Sequence, residues 1–364
     1  MVCRFLVSSA LLAASFVPAA VASSIVAILP PSGYSYVDTV AINNNGQIAT
    51  TVTKSSNGVD LTAIDTNGTF AVSTGNTQRT ALAINDSGKL VGYSTSGSGA
   101  PAAYSQTGTA TTNLTAIAHN QGSIASSIND AGTIVGVVYT QSGFTHAFSY
   151  TGTTMTDIGT IGSGTDSYAY DINSSGMIVG AAGVDPNSGG GHAFSYTTSG
   201  GMQFLAGLNT VPSTAWAVND AGEIAGDESP LGESNAFIYL GGIVTDLGTL
   251  GGSQSFVAGI NSSGIVVGSS DLADGSSTAF YYTGTGGMLD LNTLLPANSG
   301  WVLQGAEGIN DSGQIVGYGL FNGTAEAFLM NTDLGAAATP EPGTVVLLTM
   351  GAGIIAFVRK QSVK

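Results

Sequence analysis

Seven times along the chain, an aliphatic residue is followed by asparagine, two small residues drawn from Asn, Asp, Ser and Ala, a glycine and, one residue later, a second pair of aliphatic or small residues. The copies are AINNNGQIAT from Ala41, AINDSGKLVG from Ala83, SINDAGTIVG from Ser127, DINSSGMIVG from Asp171, AVNDAGEIAG from Ala217, GINSSGIVVG from Gly259 and GINDSGQIVG from Gly308. Asn at the first turn position and Asp or Ser at the second suit a type I turn. Glycine at the fourth supplies the left-handed residue that lets such a turn close a hairpin with a bulge. Each copy therefore predicts an antiparallel pair of strands, a and b. The asparagines, at 43, 85, 129, 173, 219, 261 and 310, are 42, 44, 44, 46, 42 and 49 residues apart. Self-similarity at that period, the length of one four-stranded blade, is the signature of a repeat architecture.

A second pattern follows each hairpin. His146-Ala147-Phe148-Ser149-Tyr150, His192-Ala193-Phe194-Ser195-Tyr196, Asn235-Ala236-Phe237-Ile238-Tyr239 and Thr278-Ala279-Phe280-Tyr281-Tyr282 alternate small and large apolar residues. Pro101–Tyr104 and Glu326–Met330 resemble them, and residues 59–64 are a degenerate first copy. This alternation predicts a third strand, c. A glycine-containing turn then leads to a fourth, d, expected at residues 155–161, 244–250 and 288–294, with weaker copies at 69–72, 114–117 and 202–205. The seventh c strand has no d strand after it, whereas Ile25-Val26-Ala27-Ile28-Leu29 stands before the first hairpin with no blade of its own. Pairing these two segments closes the array into a ring and removes the unpaired edges of an open stack. The expected fold is all-β: a seven-bladed β-propeller of four-stranded blades spanning residues 23–338, with an N-terminal signal helix and a C-terminal anchor helix. An open β-solenoid or two smaller sheets are the alternative architectures, although the polar caps a solenoid would want at both ends are not visible.

The ends are of a different character. Arg4 precedes the nearly continuous apolar or small stretch 5–21, and Ala20-Val21-Ala22 has the small-x-small form of a signal-peptidase site, so residues 1–22 read as a secretory signal. The one cysteine, Cys3, falls inside it, which leaves the mature chain without a disulfide framework or a thiol nucleophile. At the other end Pro340-Glu341-Pro342 precedes an apolar run, 343–358, and then Arg359-Lys360. As a helix that run rises about 24 Å, barely enough for a hydrocarbon core of about 30 Å.

Residues 339–364 resemble the PEP-CTERM sorting signal of Gram-negative bacteria. The resemblance implies an exosortase as partner, removal of the tail and release to the cell surface or extracellular matrix after transient anchoring, the only contact with membrane. The combination IN-x-x-G-x-(I/V)-(V/A)-G, HAF-x-Y and Asp246-Leu247-Gly248-Thr249-Leu250 resembles the HAF-repeat family of extracellular proteins across nearly the whole mature chain. Only two copies keep the His of HAF, and the first blade matches poorly. That family implies export and repetition, and brings no catalytic residues with it.

Charge narrows the function. The sequence has 7 Lys and Arg against 23 Asp and Glu, and only Lys54, Arg79 and Lys89 of the basic residues lie outside the terminal segments. Such a chain cannot neutralise phosphates, which excludes nucleic acid as a partner. Variable b–c and d–a loops on a rigid scaffold are where binding evolves. Asp166, Asp185, Asp227, Glu228, Glu233, Asp271 and Asp274 are expected there, with Trp216 and Trp301 near the starts of a strands. The acidic rim offers hard oxygen ligands for calcium, but without the fixed spacing of a calcium loop. The plainer reading is a set of solvated carboxylates, with no cofactor and no metal. The tryptophans suit stacking on sugar rings or, more plainly, packing between blades. His146 and His192 share a motif position that other blades fill with Asn235, Thr278 and Glu326, which is not how a metal-ligand set behaves. No Ser-His-Asp set, HExxH or P-loop is present.

Three functions remain open. The first is a non-enzymatic surface or matrix propeller that binds exopolysaccharide or an envelope protein through its b–c/d–a face. The second is a glycan hydrolase or lyase using rim carboxylates such as Asp227 and Asp271. The third is a structural matrix component with no defined ligand.

Overall fold

The computed structural model describes residues 23–334 except 97–98, 115–120, 163, 184–190, 230–232 and 285. The Ala20 and Ala22 cleavage motif, Asp185 and Pro340, Glu341 and Pro342 lie outside the described residues. Among those described, no helix is long and apolar enough to cross a membrane.

The described chain is a seven-bladed β-propeller, each blade a four-stranded antiparallel sheet. Blade 4 is representative: strand a is Ser167–Ile172, b Ile178–Ala182, c His192–Thr197 and d Gly201–Phe204. In blade 7 the fourth strand is supplied by Ser24–Ile28, which runs antiparallel to Thr324–Asn331 with Ile25 opposite Met330 and Ala27 opposite Phe328. The ring closes through its first and last strands, as the strand count implies.

Two d strands differ from expectation. In blade 2 the strand is Ala110–Asn113, just before the apolar residues assigned to it, and Leu114 instead turns into the core between blades 2 and 3. In blade 6 the strand is only Leu289–Asp290. The Asp290 side chain then accepts a hydrogen bond from the Asn292 amide and caps a 3₁₀ turn over Leu291–Leu294. A short polar side chain that offers the backbone a local acceptor ends the strand early.

Each asparagine of the repeated turn is buried and performs two tasks. Its Oδ1 accepts the amide of the residue four positions on, as in Gln47→Asn43 and Met177→Asn173, which holds the turn. Its Nδ2 donates to the carbonyl oxygen of the equivalent asparagine in the next blade. The chain of donors runs Asn43 to Asn85 (2.8 Å), to Asn129 (3.0 Å), to Asn173 (3.1 Å), to Asn219 (3.0 Å), to Asn261 (3.0 Å), to Asn310 (3.2 Å) and back to Asn43 (2.9 Å). A closed circle of seven hydrogen bonds thus runs around one face. The turn glycines Gly46, Gly88, Gly132, Gly176, Gly222, Gly264 and Gly313 all have φ between +72° and +83°, as the hairpin requires.

The residue after each asparagine adds a second tier. Asp86, Asp130, Asp220, Asp311 and Asn44 each accept the backbone amide at that position in the preceding blade. At the remaining two junctions the position holds Ser174 or Ser262, and among the described residues this bond is not made. Near the opposite end of the blades, Ser123, Ser167, Ser213 and Ser255 at the starts of a strands accept the amides of Ala103, Ala147, Ala193 and Ala236 in the preceding blade's c strand.

Between these polar clasps lie apolar layers, each shared by two blades. Val135 and Ala147 of blade 3, for example, pack with Ala169, Ile172, Ile178 and Phe194 of blade 4. The aromatic residue of strand c, Tyr104, Phe148, Phe194, Phe237, Phe280 or Phe328, is fully buried. It lies opposite a b-strand glycine, as in Phe194 opposite Gly180. In blade 1 the pair is exchanged for Thr50 opposite Ala63, both fully buried, so volume moves from one strand to the other.

Asn173→Asp keeps the acceptor, loses the donor and buries a charge against a carbonyl. It is expected to cost about 2–3 kcal/mol in denaturant unfolding. Deleting residues 24–28 bares the outer edge of Thr324–Asn331, so the shortened protein should self-associate with rising concentration, as read by light scattering.

Candidate functional site

All seven a strands carry a β-bulge at one position, three residues before the asparagine. The register skips Val40, Leu82, Ser126, Tyr170, Trp216, Ala258 and Glu307 in turn. A bulged residue has no partner across the ladder, and the strand twists to re-aim its side chain. All seven line the central channel and form a ring across its waist. In blades 2 to 7 the bulge also presses the carbonyl two residues before it against the facing b-strand glycine. A Cβ on Gly180 would overlap the Tyr168 oxygen and come within 2.9 Å of the Phe194 ring, so the glycine that ends the repeat motif permits the bulge.

The channel has two mouths. On the a–b turn face a cavity of about 330 Å³ is bordered by the asparagine circle and by Asp86, Asp130, Asp220 and Asp311. On the b–c/d–a face a cavity of about 640 Å³ is lined by Tyr93, Tyr139, Tyr168, Tyr170, Trp216 and Phe256 together with aliphatic residues and Glu307. The Tyr170 and Trp216 rings tilt at 42° with centroids 4.4 Å apart, and Tyr168 and Tyr170 stack at 6.4 Å. Among the described residues, no lysine or arginine lines either cavity.

The sequence-expected site residues part company here. Asp227 and Glu228 do not lie in a loop: they belong to strand b of blade 5 (Ile224–Glu228), paired with Thr214 and Ser213, because the hairpin runs two residues further than the repeat pattern shows. The Asp227 carboxylate is buried, receiving hydrogen bonds from the Trp216 indole and the Val257 amide. Burial nonetheless pushes it up to about 6. Partial burial, and secondarily Asp246, raise Glu228. Asp271 likewise lies in a strand (Val266–Leu272), opposite Ser277. Asp274 alone of these four acids is in a turn, where Ser276 hydrogen bonds lower its carboxyl. Trp301 is core, 5.2 Å from Phe321 and 5.9 Å from Phe328. Of the described members of the set, only Trp216 and Asp227 are joined by a side-chain hydrogen bond. His146 pairs with Asp157 at 2.7 Å, and His192 bonds the Val211 carbonyl.

Two acids not anticipated from sequence matter more. Asp171 accepts from Ser127 Oγ of blade 3 and the Val218 amide of blade 5, and burial pushes it up to about 6. Glu307, the acidic member of the bulge ring, is pushed up to about 7 by burial and then by the charge of Asp38 in the neighbouring blade. No hydrogen bond or cation among the described residues meets the Glu307 carboxylate.

No protein-family model and no curated protein matches the sequence. The fold is similar to solved structures at low identity. The acylaminoacyl peptidase of Pyrococcus horikoshii is 13% identical with a TM-score of 0.52, covering 81% of this chain and 50% of that one. An acylaminoacyl peptidase in complex with Z-Gly-Gly-Phe-chloromethyl ketone is 14% identical with a TM-score of 0.54, covering 82% and 51%. TolB from Acinetobacter baumannii is 14% identical with a TM-score of 0.44, covering 69% and 61%. The chain therefore spans about half the length of the two peptidases and 61% of TolB. The likeness is one of fold alone.

The raised acids set a pH dependence. A carboxyl whose folded value lies above its unfolded one penalises the folded state once ionised. Stability is therefore lost as pH rises from the ordinary carboxylate range through about 6 for Asp171 and Asp227 and about 7 for Glu307. The melting temperature should climb on acidification from pH 8 to pH 5. Glu307→Gln should stabilise the protein at pH 8 by on the order of 2 kcal/mol and be neutral at pH 4, as followed by thermal melts across pH.

Proposed function

We propose that the protein is an exported, non-enzymatic binding propeller of the cell surface or extracellular matrix, and that its ligand is a glycan received at the aromatic mouth of the central channel. One observation carries this reading. Six aromatic side chains from blades 2 to 6 converge on a single cavity at the b–c/d–a face, in a channel with no basic residue among the described ones. Sugar rings present C–H faces that stack on such rings, and tyrosine and tryptophan offer polar edges to the hydroxyls. A polyanionic ligand has no counter-charge there. The HAF-repeat and PEP-CTERM resemblances support an exopolysaccharide as the source, and an exosortase as the partner at the C-terminal signal.

The same cavity weighs against the rim carboxylates as acids of a hydrolase or lyase. The Asp227 carboxylate is spent orienting Trp216, and Asp271 stands in a strand.

The sequence has two tryptophans, one lining the channel and one in the core. With Trp301→Phe the remaining fluorescence reports on Trp216 alone. Neutral and amino-sugar oligosaccharides are each expected to quench or shift that emission saturably. Trp216→Ala should weaken binding at least tenfold by calorimetry without lowering the melting temperature by more than a few degrees. A flat emission with every glycan class overturns the proposal, and turnover of a bound glycan would make the protein an enzyme.

A further inference from the structure

The waist ring reads Val40, Leu82, Ser126, Tyr170, Trp216, Ala258 and Glu307, seven different side chains at one geometric position of an otherwise repetitive array. Scaffold requirements do not explain this, because the bulged residue is the one that the ladder does not pair. The flanking positions, which do pair, stay small or aliphatic in nearly every blade. The ring is therefore free to be shaped by what enters the channel, and it holds six uncharged residues and one carboxylate.

Among the described residues, Glu307 is the sole acid lining the aromatic cavity. It is half-buried, faces the tyrosine and tryptophan wall across the channel, and has neither cation nor hydrogen-bond donor among the described residues. Tyr318 of the same blade stands near it, and Asp38 of blade 1 adds a second negative charge beside it. An unpaired carboxylate in a low-dielectric cavity carries a desolvation cost that a cation would relieve. The facing aromatic rings attract a cation through their quadrupoles. Hydroxyl recognition alone would be served as well by a neutral side chain.

We propose that the channel mouth is an ammonium site: it takes a glycan whose sugars carry free amino groups, with Glu307 as the anionic partner and Tyr168, Tyr170, Trp216 and Phe256 as the aromatic wall. This rests on the glycan reading above and adds the class of sugar. A neutral or N-acetylated sugar would fill the same space and leave Glu307 unanswered.

The test compares matched tetrasaccharides of β-1,4-linked glucosamine, fully deacetylated or fully N-acetylated, with spermidine as a third ligand. Binding is measured at pH 7, where the Glu307 carboxyl and the sugar amines are both substantially ionised, at near-physiological salt by calorimetry and by Trp216 emission in the Trp301→Phe background. The amino tetramer is expected to bind at least tenfold more tightly than its acetylated counterpart. Glu307→Gln should abolish that preference while leaving the acetylated tetramer within about twofold. Asp333→Asn, which removes one charge from an exposed position outside the channel, should leave the preference intact and so separate the site from general attraction to an acidic protein. Melting of Glu307→Gln at or above the wild-type temperature shows that any loss is not misfolding. Equal binding of the two tetramers, or an amine preference that survives Glu307→Gln, overturns the ammonium site and leaves the glycan reading standing. Binding of spermidine alone, dependent on Glu307, makes the ligand a free polyamine and overturns both. No response to any of the three overturns the ammonium site, while the glycan reading falls only with a flat emission across every glycan class.

Discussion

The structure depends on the circle of seven asparagine side chains. A propeller blade is a sheet with two apolar faces, and what must be fixed is its angle to the next blade. Non-directional apolar packing does this poorly. The carboxamide does it well because one flat group is both acceptor and donor. Its oxygen is committed to its own turn and its nitrogen to the neighbour's carbonyl, so the local hairpin and the interblade angle are set together. Aspartate would lack the donor, serine the reach and glutamine the short lever that holds both atoms in place. A nearly Lys-free chain has few ion pairs to stiffen it, and the circle together with the serine clasps at the opposite end takes their place.

A second coupling links core to channel. The strand a bulge, the b-strand glycine and the c-strand aromatic are one device. In blades 2 to 7 the bulge has a glycine opposite, the missing Cβ leaves a hollow, and the aromatic ring fills it; blade 1 keeps the bulge with Thr50 and a small Ala63 instead. The product on the inner side is a side chain freed from pairing and turned into the channel. The motif that gives the repeat its recognisable form is therefore also what lets the lining residue vary without disturbing the core.

Most of the architecture was legible in the sequence because it repeats. Seven Asn-x-x-Gly turns at blade spacing announce the hairpins, and the orphan strand at residues 25–29 announces how the ring closes. The outer strands were read less well, since residues 114 and 291 are apolar yet serve as core plugs beyond the end of pairing. The site was the least legible part. The acids that interrupt the pattern, Asp227, Glu228 and Asp271, prove to be strand residues because an a–b hairpin can lengthen without changing its turn. The informative signal was the converse one, a position held at constant distance from each asparagine whose chemistry changes every time. Once the hairpin is aligned on its turn, Glu307 stands out beside Ala258 and Trp216. Knowing that this position is bulged, and so points inward, required the register.

The closing strand sets the order in which the molecule can be completed. Ile25 and Met330 are among the earliest and latest residues of the propeller to be made. Until the seventh blade exists, the opening segment has no neighbour to lie against, and every partial chain is an unfinished arc with raw borders at both ends. Bringing such distant segments together is an entropic cost deferred to the last step. The reward comes at closure: blades 1 and 7 gain their second neighbours only when the arc becomes a circle, so the finished ring has no terminal blade from which to unravel.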